Sequence, residues 1–447
     1  MTSQEAKSKV SLKFMLAWPT RTISMGIMST FLIYVSFYAT DYMKLPAASV
    51  GIVFLLSKIF DGVTDIIAGV VIDKTNSRLG KGRPYELALI GVWVFMVLMF
   101  SAPQMGVNAG LVYLFVMYSI INSVFMTLLN CNEAVYLSNA LEDKSKSVSI
   151  LAVTGIISLV FTIAANIMVP QLINGMDESG MTWTGISLML AIPFTLIGII
   201  RFLVIKEVKK SEQSSSQKLK VKELLYLLAH NKYIVIISAL ILFGNMGTSM
   251  NVGSYYFQYI MGDLGLASLG SLGMMSIIAV MIAVPSMSKK LGMRRSFQIF
   301  MLIGALGHLI RLIDVKSVPL MLISSVLAGV TFAGFYVFVA AFCIECMDYG
   351  EWKHKKRSEG MITSAQSVMA KLGSAFGLGI AGILLGISGY DGTLAVQSDS
   401  ANGMIIFLNT VFPCILGLIM VVIFQFYDLD KKIVNIRAEL ALKAGAQ

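Results

Sequence analysis

The chain has 447 residues and a formal net charge of +10, yet 56% of its residues are hydrophobic and only 13% are charged. Soluble domains carry about 25% charged residues, which they need to cover their surface. This composition excludes a water-soluble enzyme or a soluble nucleic-acid-binding protein, and it predicts a membrane protein that crosses the bilayer repeatedly.

Stretches of about 20 mostly apolar residues, long enough to cross the hydrocarbon layer as a helix, recur along the chain. Their length and the lack of a two-residue alternation favour an all-α fold. No cleavable signal peptide is expected before the first stretch. The sequence predicts twelve transmembrane helices, numbered here as spans 1 to 12, at 23–43, 48–72, 85–102, 109–139, 148–173, 183–205, 232–261, 266–286, 296–313, 318–346, 363–387 and 403–426.

The distribution of the 35 lysines and arginines predicts the orientation of these spans. Most of them lie in the N-terminal tail, in the loops after spans 2, 4, 6, 8 and 10, and in the C-terminal tail. Because cytoplasmic loops are enriched in Lys and Arg, both termini are predicted to be cytoplasmic, with the protein in the inner or plasma membrane of the cell. One miscounted span would break the alternation, so the pattern also supports the count of twelve.

The two halves of the chain are similar to each other. A shift of 212 residues carries the turn Gly80-Lys-Gly-Arg83 onto Gly292-Met-Arg-Arg295 and lays spans 1 to 5 onto spans 7 to 11. Parallel repeats of this kind are found in transporters. We therefore predict an N-terminal six-helix bundle at 1–205, a cytoplasmic linker at 206–231 and a C-terminal six-helix bundle at 232–447 around a central cavity.

Charged residues inside span 2 are the first functional candidates, since a charge at bilayer depth costs at least about 2.5–3.5 kcal/mol. Asp61 and Asp65 are four residues apart and share one helix face with Lys58 and Thr64. Their oxygens suit a small cation or a proton, so we predict a site for a coupling ion, Na⁺, H⁺ or Li⁺. The alternative is a structural ion pair with Lys58, which would leave one aspartate uncompensated.

Span 11 carries Lys371 near its middle. A lone ammonium group buried in the bilayer would lose its proton unless an acid lay close to it. We expect the carboxylates of span 2 to be its partners and Lys371 to have a role in coupling. The alternative is a lysine whose long side chain reaches water.

Polar residues in spans 1, 4 and 7 are the candidate contacts for a solute. Amides and tyrosines bind hydroxyl-rich ligands through hydrogen bonds and ring packing; structural hydrogen bonds between helices are the alternative. The candidates are Asn130, Asn132 and Glu133 in span 4, Asn251, Tyr255 and Tyr256 in span 7, and Arg21 near the start of span 1, which is either interfacial or in contact with an anionic solute.

The shift of 212 residues also superimposes Glu133 on Glu345 of span 10. Both glutamates lie towards the cytoplasmic ends of their spans. A gate, or a pair between the two halves, therefore explains them as well as contact with substrate does.

Enzymatic chemistry has no support in the sequence. There is no nucleophile–base set, no metal-ligand spacing and no phosphate-binding glycine loop. Cys343 and Cys346 form a C-x-x-C pair without a second pair or a histidine cluster, and are expected to be small buried side chains. We expect no enzyme activity, no cofactor and no metal beyond the coupling cation.

Two groups of motifs occur in the two halves. The first is Asp61-Gly-Val-Thr-Asp65 with Gly69-Val-Val-Ile-Asp73 and Arg78-Leu-Gly-Lys-Gly-Arg83, and the second is Asp348-Tyr-Gly-Glu-Trp352 with Arg357-Ser-Glu-Gly360 and Lys371-Leu-Gly-Ser-Ala-Phe376. In this order and spacing they resemble the glycoside–pentoside–hexuronide:cation symporters, the melibiose permease branch of the major facilitator superfamily.

This resemblance implies the twelve-helix fold of the superfamily and cation-coupled uptake of a sugar, glycoside or uronide by alternating access. It implies a cation-binding role for Asp61 and Asp65 and a coupling role for Lys371. It also implies that the loop after span 2 holds one gating state through charge-assisted hydrogen bonds. The gating candidates are Asp73, Arg78 and Arg83 in this loop, together with Glu345 and Arg357.

The chain departs from the melibiose permease pattern where that protein binds its sugar. No Asp or Glu occurs between Glu5 and Asp41, and the span 5 region lacks the arginine of that pattern. A galactoside is therefore not the expected solute; another glycoside, a uronide or a non-sugar organic solute stays open. An uncoupled facilitator or an exporter on the same fold is the alternative function. Beyond the solute and membrane lipids, we expect no nucleic acid and no obligate protein partner.

Overall fold

The computed structural model describes residues 11–141, 147–207, 231–354 and 359–445. Within these ranges the chain is helical, without a β-strand; Ser77 and Gly80 form an isolated bridge. All twelve predicted apolar stretches form helices, with a break at residues 249–252 in the stretch 232–261. A helix suits a bilayer because it satisfies its backbone hydrogen bonds internally.

The helices are numbered α1 to α13 in chain order. The first six are α1 Leu12–Tyr42, α2 Ala47–Lys74, α3 Ala88–Met99, α4 Val107–Ala140, α5 Ser147–Asn174 and α6 Trp183–Val204. The others are α7 Lys232–Ile260, α8 Leu264–Leu291, α9 Met293–Leu309, α10 Val318–His354, α11 Glu359–Ile387, α12 Asp399–Phe426 and the terminal α13 Ile433–Gly445.

In the described part of the chain, nine helices are long and apolar enough to cross a membrane: α1, α4 to α8, and α10 to α12. The three other predicted spans correspond to α2, α3 and α9. Helices α3 and α9 are shorter than the other spans, with 12 and 17 residues. Helix α2 has 28 residues but carries the charged residues Lys58, Asp61 and Asp65. The count of twelve and the cytoplasmic termini stay predictions.

Contacts divide the chain into two compact units. Unit 1 comprises Met1–Leu45 and Phe60–Ser215, and unit 2 comprises Pro46–Ile59 and Ser216–Gln447. The bundles at 1–205 and 232–447 stay a prediction, and the linker between them falls outside the described residues from residue 208 to residue 230.

The first half of α2 belongs to unit 2 because it packs closely against α11. A Cβ atom on Gly51 would lie 2.8 Å from the carbonyl oxygen of Gly379, and one on Gly382 would lie 2.6 Å from the Cα of Gly51. Small residues let helix backbones approach in this way in membranes. Helix α2 therefore passes from unit 2 to unit 1 at Phe60.

Each unit has its own aromatic packing. In unit 2, the Phe424 ring of α12 lies 4.5 Å, centroid to centroid, from both Phe297 of α9 and Phe342 of α10. In unit 1, the ring of Trp18 in α1 lies 5.4 Å from that of Tyr136 in α4. These contacts fix the helix ends on which the charged groups described below are placed.

The same irregularity occurs near the end of α1 and of α7, the first helix of each half of the chain. A π-helical turn begins at Tyr38 in α1 and at Tyr256 in α7. The hydroxyl of Tyr38 accepts a hydrogen bond from the N–H of Ala102 at 3.1 Å, and that of Tyr256 donates to the carbonyl of Val315 at 2.6 Å. Both partners follow the third helix of their half, which supports the internal repeat.

Candidate functional site

Two carboxylates of α2 and one hydroxyl of α4 converge within unit 1. The Oγ1 atom of Thr127 lies 3.0 Å from Oδ1 of Asp61 and 3.1 Å from Oδ1 of Asp65. The two aspartates share a helix face, as predicted, and Asp61 is only 6% exposed. We call these three residues the acid–threonine cluster. Its oxygens are the hard ligands that small cations prefer.

A π-helical turn sets the position of Thr127. The turn spans Ile120–Met126, and the N–H of Thr127 donates to the carbonyl of Asn122, five residues back. The Thr127 hydroxyl also lies 3.1 Å from that carbonyl. Such turns occur frequently at functional sites. Thr127 was not predicted from the sequence, because a single hydroxyl in an apolar run has no distinguishing signal.

The other residues predicted for the cation site are arranged differently. The hydroxyl of Thr64 donates to the backbone carbonyl of Asp61 at 3.0 Å, which is a hydrogen bond within α2. Lys58 in α2 and Lys371 in α11 are both half-buried. The roles predicted for all three stay predictions.

A second cluster in unit 1 consists of two arginines and two glutamates, which we call the four-charge network. Nη1 of Arg21 lies 3.2 Å from Oε1 of Glu86, and Nη2 of Arg21 pairs with Glu133. Nη1 of Arg201 lies 2.9 Å from Oε2 of Glu133, and Nε of Arg201 lies 3.4 Å from Oε2 of Glu86. Two positive and two negative charges thus cancel.

The four-charge network is buried. The side chains of Arg21, Arg201 and Glu86 are 4%, 0% and 1% exposed, and that of Glu133 is 28% exposed. The guanidinium of Arg201 also stacks 3.4 Å above the ring of Trp18. Buried charges of this kind are tolerated because each has an opposite partner.

Three candidate solute contacts belong to this environment. Arg21 and Glu133 are members of the network, and Nδ2 of Asn132 donates to Oε1 of Glu86 at 3.1 Å. Their solute-binding role stays a prediction, although each has an intramolecular partner. Glu86 and Arg201 were not predicted from the sequence, because both lie at span ends, where charged residues are ordinarily interfacial.

The loop after α2 encloses the carboxylate of Glu207, which follows α6. The N–H groups of Lys81, Gly82 and Arg83 donate to it at 2.9, 2.6 and 2.7 Å, and Nδ2 of Asn139 donates at 3.1 Å. Successive N–H groups of a turn form an anion-binding concavity. We call this arrangement the Glu207 clasp.

The predicted gating residues relate to the clasp as follows. Arg83 also donates from Nε to the carbonyl of Phe202 at 3.0 Å, while Arg78 is exposed. The side chain of Asp73 and the whole of Arg357 lie outside the described residues. The gating role of each stays a prediction.

Replacing Gly80 by alanine should open the clasp. Gly80 has φ +112°, and a Cβ atom there would lie 2.5 Å from Cδ of Glu207. A strained backbone of this kind costs about 1–3 kcal/mol for a residue with a side chain. We expect Gly80→Ala to lower the melting temperature of the protein in detergent, measured by intrinsic fluorescence.

Gly69→Ala is the matched control for this experiment, since a Cβ on Gly69 in α2 would meet no described atom within 4 Å. An unchanged melting temperature for Gly80→Ala would mean that the clasp contributes nothing to stability.

The remaining candidates in unit 2 have different partners. Glu345 of α10 is buried and accepts a hydrogen bond from the hydroxyl of Tyr427 at 2.6 Å. Tyr255 packs edge-on against Tyr390, with ring centroids 5.2 Å apart, and so faces a different partner from Tyr256. Asn251 is half-buried with φ +52°. In unit 1, Asn130 is exposed.

Comparison with known proteins identifies the family. The family model for MFS/sugar transport proteins matches residues 22–431. The isoprimeverose transporter of Lactiplantibacillus pentosus is 30% identical over 433 residues, covering 94% of this chain and 88% of that protein. The glucuronide carrier protein homolog of Escherichia coli K12 is 29% identical, covering 90% and 89%.

A crystal structure of a mutant of the nucleoside transporter NupG superimposes with a TM-score of 0.66 and 16% identity, covering 93% of this chain and 99% of that one. At this identity the likeness shows the fold alone, which is the major facilitator fold. The protein is a multi-pass cell-membrane transporter and not an enzyme. The chain therefore belongs to the MFS/sugar transport proteins, the glycoside–pentoside–hexuronide:cation symporter family of the major facilitator superfamily.

Proposed function

We propose that this sugar transporter is a symporter that couples the uptake of a sugar, glycoside or uronide to a cation by alternating access. The observation that carries the proposal is the acid–threonine cluster, in which one hydroxyl lies within 3.1 Å of two carboxylates. A transporter without ion coupling has no need of such a site, because neutral residues would avoid the cost of burying the charges.

The chemistry of coupling follows from the charges. Asp61 and Asp65 together place two negative charges beside Thr127, and a bound Na⁺, Li⁺ or H⁺ neutralises one of them. Binding of the cation then favours the states in which the solute is bound. By linkage the solute must strengthen cation binding by the same factor.

Further roles are part of the same proposal. We assign cation binding to Asp61, Asp65 and Thr127, with Thr64 and Lys58 as supporting residues on α2. Lys371 couples the two events. We also propose that α2, α3 and α9 complete twelve spans, with both termini in the cytoplasm.

We infer the class of solute from the names of the relatives and from a stretch of the sequence that lacks an acidic residue. The relatives named for isoprimeverose and for glucuronides both carry sugar derivatives by name. The stretch between Glu5 and Asp41 has no acid, which argues against the mode of galactoside binding in melibiose permease. A pentose-containing glycoside or a uronide is therefore the first choice for testing.

Transport into proteoliposomes tests the proposal. Purified protein is reconstituted, and uptake of radiolabelled glycosides, uronides and organic acids is followed under an inward Na⁺ gradient, an inward H⁺ gradient, or neither. We expect one gradient to drive a sugar derivative above its external concentration. Uptake that never exceeds equilibration under any gradient would identify a facilitator, and solute movement only out of loaded vesicles would identify an exporter.

Ligand-dependent stability gives an independent measurement. A ligand that binds only the folded protein raises its stability by mass action. We expect NaCl or LiCl, but not choline chloride, to raise the melting temperature of a Na⁺-coupled protein, and the transported solute to add to that increase.

A further inference from the structure

The four-charge network and the acid–threonine cluster share α4. We propose that Arg21 is a positioning residue of the cation site: it holds α4 in the register that presents the Thr127 hydroxyl to Asp61 and Asp65. This inference rests on the proposed function, since it assigns Arg21 a role in cation binding rather than in contact with the solute.

Arg21 grips α4 at two points just beyond Thr127. Its Nη1 donates to the backbone carbonyl of Leu129 at 2.8 Å, and its Nη2 pairs with the carboxylate of Glu133. Leu129 is two residues after Thr127, and Glu133 is one further turn along the same helix. Because an α-helix is stiff over so short a distance, these contacts fix both the rotation and the height of Thr127.

The helix needs such an anchor because Thr127 directly follows the π-helical turn Ile120–Met126. A π-helical turn accommodates one residue more than an α-helical turn. If it relaxed to α-helix, the helix beyond it would rotate by about 100°. That rotation would move the Thr127 hydroxyl away from the carboxylates to which it now lies within 3.1 Å.

Arg21 is itself held in place. Glu86, in the 3-10 turn Arg83–Leu87 just before α3, lies 3.2 Å from its Nη1, and Arg201 of α6 lies 2.9 Å from the same Glu133 carboxylate that Arg21 binds. Charge-assisted hydrogen bonds to an arginine are stronger than neutral ones and restrict its orientation. These contacts therefore fix the position of α4 relative to α1, to α6 and to the turn before α3.

A double-mutant cycle tests the inference. The measured quantity is the Na⁺ concentration that gives half of the maximal thermal stabilisation without solute, or, for a proton-coupled protein, the pH of half-maximal uptake. Groups that orient ligands typically contribute 10–100-fold to metal affinity, so we expect Arg21→Gln to raise the half-saturating Na⁺ concentration by about tenfold or more. Thr127→Val should raise it similarly.

The decisive result is the combination of the two changes. If Arg21 acts through Thr127, the double variant should bind Na⁺ no more weakly than Thr127→Val alone, because coupled sites give non-additive effects. Arg21→Lys keeps the charge but loses the planar two-point grip, and we expect an intermediate affinity. Arg311→Gln is the matched control: Arg311 is a half-buried arginine of unit 2 that binds Ser325 at 2.8 Å, and its loss should leave Na⁺ affinity unchanged.

Additive effects of Arg21→Gln and Thr127→Val, or an unchanged affinity in Arg21→Gln, would overturn the positioning role while leaving the cation site intact. A wild-type protein that responds to no cation would instead overturn the proposed function. If Arg21→Gln does not fold, the same cycle is run with Arg21→Lys, for which additivity has the same meaning.

Discussion

Asp61→Asn is expected to abolish ion-driven accumulation of the solute. The carboxamide has nearly the same shape as the carboxylate but carries no charge, so it can neither hold a cation strongly nor take up a proton near neutral pH. Asp61 is only 6% exposed and bonds Thr127 at 3.0 Å, so the cluster loses half of its negative charge at its most buried point. The solute concentration inside proteoliposomes should then no longer exceed that outside.

The measurement compares two kinds of transport in the same vesicles. Gradient-driven uptake requires the cation, whereas exchange of external labelled solute for internal unlabelled solute does not require net cation movement. We expect Asp61→Asn to lose the first and to retain part of the second, which shows that the protein is folded. The control is Asp314→Asn. Asp314 is exposed and accepts a hydrogen bond from the backbone N–H of Lys316. Both gradient-driven uptake and exchange should persist in this variant. Full gradient-driven accumulation by Asp61→Asn would refute the assignment of the cation site.

Glu86→Gln should destabilise the protein strongly. Glu86 is 1% exposed and lies 3.2 Å from Nη1 of Arg21 and 3.4 Å from Nε of Arg201. Without its charge, two buried guanidinium groups share the single carboxylate of Glu133. Removing one partner from a buried ion pair costs about 3–5 kcal/mol. The free energy of unfolding in detergent, or the melting temperature as its proxy, measures this loss.

Two further variants show whether charge balance is the cause. Glu178→Gln changes an exposed glutamate in the short helix Met176–Ser179 and should leave the melting temperature unchanged. Glu86→Gln combined with Arg201→Gln restores one positive and one negative charge, and should recover part of the lost stability. If Glu86→Gln had the same melting temperature as the wild type, the four-charge network would not contribute to the stability of unit 1.

The helices and the faces of their charges could be predicted from the sequence. Apolar length alone determines where a chain must be helical in a bilayer, and all twelve apolar stretches are helical. The shared face of Asp61 and Asp65 follows from their spacing of four residues, and both aspartates lie beside one hydroxyl.

What could not be predicted depends on contacts between distant parts of the chain. Thr127 is 62 residues from Asp65, and the π-helical turn before it has the sequence IINSVFM, which contains no proline or glycine to signal an irregular turn. The pairing of Arg21 with Glu86 and Glu133 spans 65 and 112 residues. For this reason the sequence could not predict that the guanidinium of Arg21 lies within an ion-pair network. Its contact with a solute stays a prediction.

The passage of α2 between the units has a consequence for dividing the protein into fragments. A cut after Ser215 would separate Phe60–Ser215 of unit 1 from Ser216–Gln447 of unit 2. The first fragment would nevertheless retain Pro46–Ile59, which packs with the second fragment in unit 2. The Gly51 surface would be left uncovered on one fragment, and the matching surface around Gly382 on the other. We therefore expect each fragment to be unstable when it is expressed alone. The two fragments should reassemble when they are produced together in the same cell.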